Sequence, residues 1–170
     1  MITLILGGEK SGKSATALEY LQQSPAPHAF VGTAVAQDME MRRRINAHRK
    51  NRPPHIPVRE SDVDLARVLR DEASQGGTIL VDSLDFWLFS CIQKKQEHAR
   101  KSDLLELLDS GLPIDLIMVS LEVGLGPLQA AAQSRAFVRS LGLLNQEVAA
   151  LAQEVLLVVA GQTMRLKGGS

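Results

Sequence analysis

The chain has 170 residues, 45% of them hydrophobic and 22% charged, a composition that favours one globular domain with a buried core and excludes a disordered or fibrous protein. Its 19 basic and 19 acidic residues cancel, so no overall charge attracts nucleic acid or an anionic membrane, and no hydrophobic run approaches the roughly 20 residues of a membrane span. The single cysteine, Cys91, excludes an internal disulfide and predicts a cytoplasmic protein, and the first residues lack the basic region of a secretory signal.

Short runs of Val, Ile and Leu alternate with longer amphipathic stretches, which is the pattern of a parallel sheet flanked by helices. These runs do not alternate with polar residues, as expected of strands that are covered on both faces. The sequence therefore predicts an α/β sandwich of three layers with a mostly parallel sheet, in one domain over residues 1–166 with a flexible tail over 167–170. The predicted strands are Ile2–Leu6, His28–Gly32, Thr78–Val81, Ile114–Ser120 and Val155–Ala160.

Helices are predicted between the strands, from capping residues at their starts and Gly or Pro beyond their ends. We expect the last helix to be broken near Gly142 and the stretch Glu97–Ser102 to be a loop. The predicted helices are Lys13–Gln22, Asp38–Asn51, Ser61–Ser74, Leu84–Gln96, Ser102–Ser110 and Gln129–Gln153.

A glycine-rich loop between the first strand and the first helix matches the Gly-x-x-x-x-Gly-Lys-Ser pattern of phosphate-binding loops. Glycines let the backbone curve around a polyphosphate, so that N–H groups and the positive end of the helix point at it. Lys13 is expected to reach the β- and γ-phosphates of GTP or ATP, and Ser14 to hold Mg²⁺. The flanking strand and helix favour this P-loop NTPase fold, of the RecA-like kind, over a glycine turn with a surface lysine. The predicted nucleotide-binding residues here are Gly7, Gly8, Glu9, Lys10, Ser11, Gly12, Lys13 and Ser14.

An acidic residue, Asp82, directly follows the apolar run Thr78–Val81. A carboxylate at the end of a strand in a P-loop protein holds Mg²⁺ or its water, and we predict this role for Asp82. The alternative is that Asp82 only caps the helix that begins near Leu84.

A basic stretch with one histidine follows the second predicted strand. Arg44 lies one helical turn before His48, and Arg49 and Arg52 follow it, so that these cations can gather phosphate oxygens around an imidazole. By spacing alone, a solvated basic helix face with a structural histidine is the more common arrangement.

Two motifs resemble the bifunctional adenosylcobinamide kinase / adenosylcobinamide-phosphate guanylyltransferases of cobalamin assembly. One is Gly-Gly-x-x-Ser-Gly-Lys-Ser at residues 7–14, and the other is Asp-x-Glu-Met-x-x-Arg-Ile-x-x-His-Arg-x-x-Arg-Pro from Asp38 to Pro53. The second motif is far more specific than a phosphate-binding loop. Other family positions, including Glu60, Trp87 and Glu122, follow in the same order, so the resemblance covers essentially the whole chain.

The resemblance implies a definite chemistry. Members phosphorylate the aminopropanol hydroxyl of adenosylcobinamide with a nucleoside triphosphate, and then transfer GMP from GTP to that phosphate through a guanylylated histidine, which His48 matches. The partners implied are a corrinoid substrate and the nucleotide, and the implied assembly is a homotrimer. By the same resemblance, the GTP site includes Gly32, Thr33, Ala34, Arg49, Lys50, Asn51, Arg52, Glu60 and Asp82.

Several positions depart from the family pattern and bear mainly on the corrinoid pocket and the kinase half-reaction. Asp85 stands where the pattern has Thr, Ser90 and Leu121 where it has Asn, and Arg139 where it has an acid. Leu128 and Gln129 replace Val-Pro. Two alternatives therefore stay open: a small-molecule kinase without histidine chemistry, and a nucleotide-binding regulator without turnover.

Overall fold

The computed structural model of the chain describes residues 1–34, 55–126 and 131–169. Its helices are α1 (Lys13–Gln23), α2 (Leu65–Ala73), α3 (Leu84–Gln93), α4 (Glu97–Ser110) and α5 (Ala132–Leu151). Its strands are β1 (Ile2–Gly7), β2 (His28–Gly32), β3 (Val58–Glu60), β4 (Thr78–Asp82), β5 (Asp115–Leu121), β6 (Glu154–Val159) and β7 (Gln162–Lys167).

The strands form one seven-stranded sheet in the order β3-β2-β4-β5-β1-β6-β7. All neighbouring pairs are parallel except β6 and β7, which pair antiparallel at one edge. The carboxyl ends of the six parallel strands therefore lie along one edge of the sheet, where ligand sites of α/β proteins form. The predicted mostly parallel α/β sheet is confirmed.

The sheet has a separate apolar core on each face. On one face, helix α1 buries Ala17 and Leu21 against strand residues such as Ile5 and Ile117. On the other face, helices α2 to α5 pack on the alternate strand residues, with Trp87 among the largest buried side chains. This is the predicted arrangement of three layers, and it follows from strands whose side chains are apolar in both directions.

Two strands and one helix start were not expected from the sequence. Strand β3 is only three residues long and exposed, and every residue of β7 is exposed, so neither strand has the apolar run that marks the buried strands. Helix α4 begins at Glu97, so the prediction of a loop at Glu97–Ser102 was wrong. Good helix-forming residues and contacts made by the first turns explain this start: Glu97 hydrogen-bonds to Ser140, and the Arg100 guanidinium lies 2.7 Å from Asp64 Oδ1.

The predicted break near Gly142 was also wrong. Helix α5 is continuous from Ala132 to Leu151. Leu141 before the glycine and Leu144 and Val148 after it are all buried, so the helix packs on the core on both sides of Gly142. Strand β7 extends to Lys167, whose Nζ donates to the carbonyl oxygens of Ala149 and Ala150.

The remaining predicted helices match less closely or cannot be compared. Helix α2 begins only at Leu65, because the Ser61 N–H donates to the Gly32 carbonyl at 2.9 Å and extends the strand pairing. The predicted helix Asp38–Asn51 lies outside the described residues. None of the helices within the described ranges is long and apolar enough to cross a bilayer.

Candidate active site

The glycine-rich loop joins β1 to α1 in a tight, left-handed path. Lys10 and Gly12 have φ angles of +55° and +100°, and the Ser11 N–H donates to the Gly8 carbonyl at 3.3 Å. At Gly7 a Cβ would lie 2.7 Å from the Val158 carbonyl oxygen, so this position has no room for a side chain. Glycine is thus required at positions 7 and 12 by the shape of the loop itself.

Lys13 and Ser14 begin helix α1 at the end of this loop. The Lys13 Nζ donates to the Gly8 carbonyl at 3.1 Å, so the amine lies over the glycine-rich loop. The first helical hydrogen bond runs from Thr16 N to Gly12 O, which leaves the earlier N–H groups without helical acceptors. The loop therefore presents backbone donors, a cation and the positive end of a helix dipole to an anion.

The turn between β6 and β7 supports the loop from behind. The Gly161 N–H donates to the Ser11 carbonyl at 2.8 Å, and a Cβ on Gly12 would lie only 3.3 Å from the Gly161 Cα. Ala160 and Gly161 both have positive φ, which forms this tight reversal. The sequence gives no sign of this support, since it depends on the pairing of β7 with β6.

Asp82 ends β4, which is separated from β1 by β5 alone. The Thr33 N–H donates to the Asp82 carbonyl at 3.2 Å, and the Thr33 hydroxyl both donates to Ser83 O at 2.6 Å and accepts from Ser83 N at 2.9 Å. Thr33 is fully buried. Its side chain is therefore occupied by the backbone that follows Asp82, and it fixes the ends of β2 and β4 to each other.

Three of the predicted nucleotide-site residues are aligned across neighbouring strands. Gly32 is paired with Glu60 on β3 and with Asp82 on β4, so these residues occupy one row at the carboxyl edge of the sheet. Glu60 is exposed, and Ala34 directly follows Thr33. The structure thus brings Gly32, Thr33, Glu60 and Asp82 together, on the same edge as the phosphate-binding loop.

Five other predicted residues belong to the connection between β2 and β3. The chain leaves β2 at Gly32 and enters β3 at Val58. His48, Arg49, Lys50, Asn51 and Arg52 lie in this connection, outside the described residues.

The site contains one acidic residue that the sequence pointed to only as a departure from the family pattern. Asp85 lies in the first turn of α3, is 9% exposed, and has an Oδ1 atom without a hydrogen-bond partner. Burial raises the pKa of its carboxyl group above 3.8, an effect that Ser83 and the charge of Lys13 oppose and the charge of Asp82 increases. The sequence signal for this residue was an acidic side chain three residues after Asp82. Its burial results from the packing of α3 and could not be predicted from the sequence.

Comparisons with known proteins identify relatives along the whole chain. A family model described as cobinamide kinase / cobinamide phosphate guanyltransferase matches residues 3–166. The chain is 40% identical to the bifunctional adenosylcobalamin biosynthesis protein CobP of Pseudomonas aeruginosa, over 99% of this chain and 98% of that protein. It is 27% identical to the bifunctional adenosylcobalamin biosynthesis protein CobU of Escherichia coli, over 98% of this chain and 100% of that protein.

Solved structures with a similar fold are more distant in sequence. An ATPase from the type III secretion system of pathogenic bacteria superposes with a TM-score of 0.61 at 14% identity, over 92% of this chain and 50% of that one. A KaiC-like protein from Pyrococcus horikoshii OT3 superposes with a TM-score of 0.51 at 16% identity, over 92% of this chain and 69% of that one. These structures are P-loop NTPases, so the predicted fold class is confirmed.

Proposed function

The chain belongs to the cobinamide kinase / cobinamide phosphate guanyltransferase family, and we propose that its guanylyl transfer proceeds through GMP carried covalently on His48. The family is a group of transferases with two activities in adenosylcobalamin biosynthesis. In the first, adenosylcobinamide is phosphorylated. In the second, GMP passes from GTP to the phosphate so formed, giving adenosylcobinamide-GDP.

The row formed by Gly32, Glu60 and Asp82 is the observation that most supports a GTP site beside His48. These residues share one edge of the sheet with the phosphate-binding loop, and the connection that contains His48 begins directly after β2. A nucleotide whose phosphates lie in the loop would extend along this edge. We propose that Gly32, Ala34 and Glu60 contact it there and that the buried Thr33 acts through the backbone it holds beside Asp82. Arg49, Lys50, Asn51 and Arg52 are contributed by the connection.

The imidazole of His48 suits the transfer chemistry. A neutral ring nitrogen attacks the α-phosphorus of GTP, so that a P–N bond forms while the bond to the pyrophosphate oxygen breaks. An oxygen of adenosylcobinamide phosphate then attacks the same phosphorus, the P–N bond breaks, and the free imidazole is regenerated. The arginines near His48 stabilise the negative charge on the transferring group.

Mg²⁺ is the metal that this site is suited to hold. Ser14 offers a hydroxyl at the start of α1, and Asp82 offers a carboxylate at the end of β4. Mg²⁺ takes oxygen ligands and keeps much of its shell as phosphate oxygens and water, so few protein ligands suffice. When bound, it neutralises charge on the triphosphate. Lys13 orients the β- and γ-phosphates.

Further features of the chain are proposed from the resemblance and from the single sheet. We propose one domain over residues 1–166, since all seven strands join one sheet, and a homotrimer as the assembled form. Both ATP and GTP suit the phosphate-binding loop as phosphate donors.

Radioactive GTP tests the covalent step. We expect protein incubated with Mg²⁺ and GTP labelled at the α-phosphorus to acquire an acid-labile, base-stable label, as a phosphoramidate would give. The label should disappear in His48→Ala and persist in His98→Ala, a control at an exposed histidine on α4. Label that remains in His48→Ala would falsify the histidine assignment. Phosphoryl transfer from γ-labelled nucleotide without any α-label would identify a kinase alone.

A further inference from the structure

The segment that follows β5 lies beside the phosphate-binding loop. β5 is the strand between β1 and β4, so its carboxyl end stands between the phosphate-binding loop and Asp82. Leu121 is paired with Gly7, and the Glu122 N–H donates to the Gly7 carbonyl at 3.0 Å. Glu122 therefore leaves the sheet at the point where the phosphate-binding loop begins, on the side nearer to Asp82.

The end of β5 is held from the helix layer. The buried Asn145 of α5 accepts from the Ser120 hydroxyl at 2.6 Å and donates to the Leu121 carbonyl at 3.1 Å. Both polar atoms of one buried amide are thus bonded to the two residues directly before Glu122. Buried polar groups that are satisfied in this way make a structure rigid. The backbone of Glu122 is therefore fixed on two sides, through Asn145 and through Gly7.

The Glu122 carboxylate is both accessible and oriented. The residue is partly exposed, and its Oε1 atom accepts from the Gly124 N–H at 2.6 Å. A carboxylate has about four acceptor positions, so one backbone N–H orients the group and leaves it able to take a proton. Two other acids at this edge are less suited to that task, because Asp82 is expected at Mg²⁺ and Asp85 is only 9% exposed.

The two half-reactions of the family differ in their need for a proton acceptor. In the first, the nucleophile is a hydroxyl group, which loses its proton as it attacks the γ-phosphorus. In the second, the nucleophile is a phosphate oxygen, which already carries negative charge. A carboxylate beside a triphosphate is unfavourable on charge alone, since like charges repel. A carboxylate that takes a proton there would serve phosphorylation and not guanylyl transfer.

We propose that Glu122 is the proton acceptor of the phosphorylation half-reaction. The hydroxyl oxygen of adenosylcobinamide attacks the γ-phosphorus and forms an O–P bond, while the bond from that phosphorus to the β,γ-bridging oxygen breaks and a nucleoside diphosphate leaves. The hydroxyl proton passes to the Glu122 carboxylate, which then gives it to water. This inference rests on the proposed binding of the β- and γ-phosphates at Lys13.

Separate assays of the two half-reactions test this role. Phosphorylation is measured with Mg²⁺, adenosylcobinamide and γ-labelled ATP or GTP, and guanylyl transfer with α-labelled GTP and preformed adenosylcobinamide phosphate. For Glu122→Gln we expect kcat of phosphorylation to fall about 10²–10⁴-fold. Guanylyl transfer and the KM for the nucleotide should not change. In Glu122→Ala, added formate should restore part of the phosphorylation, because a free carboxylate can occupy the vacated space and take the proton.

The matched control is Glu106→Gln, at an exposed carboxylate of α4, and it should equal the unaltered chain in both assays. Phosphorylation by Glu122→Gln at the unaltered rate would overturn the proposal, and so would a Glu122→Ala variant that formate does not restore. Equal losses in both half-reactions of Glu122→Gln would show a structural role only, which also overturns it.

The placement of the nucleotide is tested apart from Glu122. Lys13→Ala should phosphorylate adenosylcobinamide far more slowly than the unaltered chain, because the cation on the β- and γ-phosphates is lost. If it is as fast, the triphosphate lies elsewhere and the role of Glu122 falls with the proposed site. If the unaltered chain phosphorylates adenosylcobinamide with neither ATP nor GTP, the role of Glu122 is overturned together with the half-reaction.

Discussion

Gly161 donates its backbone N–H to the carbonyl oxygen of Ser11 at 2.8 Å, and this bond ties the last strand pair of the sheet to the phosphate-binding loop. The contact needs a close approach of two backbones, which Gly12 permits, and a reversal of the chain at Gly161, whose φ is +74°. The shape of the loop in the described structure is therefore set in part from outside the local motif.

Replacing Gly12 with Ala should damage the loop. Its φ of +100° is unfavourable for an L-residue, and the added Cβ would lie 3.3 Å from the Gly161 Cα. We expect the free energy of unfolding in urea to fall by about 1–2 kcal/mol, with weaker binding of a GTP analogue by calorimetry. Gly8→Ala is the matched control in the same loop, because a Cβ there meets nothing within 4 Å. Equal losses of stability in the two variants would contradict the assigned contact.

Replacing Gly142 with Ala should stabilise the protein. Gly142 lies inside the continuous helix α5, and a Cβ there meets nothing within 4 Å. Because glycine is a poor helix former, the free energy of unfolding should rise by about 0.5–1 kcal/mol. Gly77→Ala provides the contrast, since its φ is +78° and its Cβ would lie 2.6 Å from the Pro27 nitrogen. A loss of stability in Gly142→Ala would mean that α5 is broken there after all.

Removing the Thr33 hydroxyl should separate the ends of β2 and β4. Thr33→Val leaves the Ser83 N–H and C=O buried without the partners that they now have. We expect a loss of about 1–3 kcal/mol in urea unfolding and a reduced affinity for the GTP analogue. Thr33→Ser keeps the hydroxyl and should lose much less, so similar losses in the two variants would contradict this role.

The stability of the chain should depend on pH through Asp85. Burial raises the pKa of Asp85 in the folded protein above its usual 3.8, so the folded state holds the proton more tightly than the unfolded chain. Its contribution to stability is therefore full below the unfolded pKa and is lost as pH rises through the folded pKa. Asp85→Asn does not titrate, so it should be more stable than the unaltered chain at about pH 7, with a smaller difference at about pH 4. A difference in unfolding free energy that does not vary with pH would show that the pKa of Asp85 is not raised.

The sequence predicted the parts of the fold that are determined locally. The central strands and the phosphate-binding loop are continuous patterns, so a strand matching Ile2–Gly7 and a helix matching Lys13–Gln23 follow from the order of residues to within one residue. β7 does not, because it is an exposed edge strand that forms only by pairing with β6. The same limit applies to the start of α4 at Glu97, which depends on contacts with other helices.

In the candidate site, too, some features follow from the sequence and others only from packing. Gly32, Glu60 and Asp82 were predicted individually, from a motif or from resemblance, and the register of three strands places them in one row. That Asp85 is buried with a partnerless oxygen, and that the Thr33 side chain is directed to Ser83, are consequences of packing. Neither can be read from local sequence patterns.

Helix α1 links the phosphate-binding loop to a whole layer of the molecule, since it has Lys13 and Ser14 at its start and Ala17 and Leu21 fully buried along its length. A ligand that immobilises the loop would therefore also restrain the apolar layer beneath it. Slower hydrogen exchange is then expected along α1 and in the strand residues under it, well beyond the atoms that touch the phosphates.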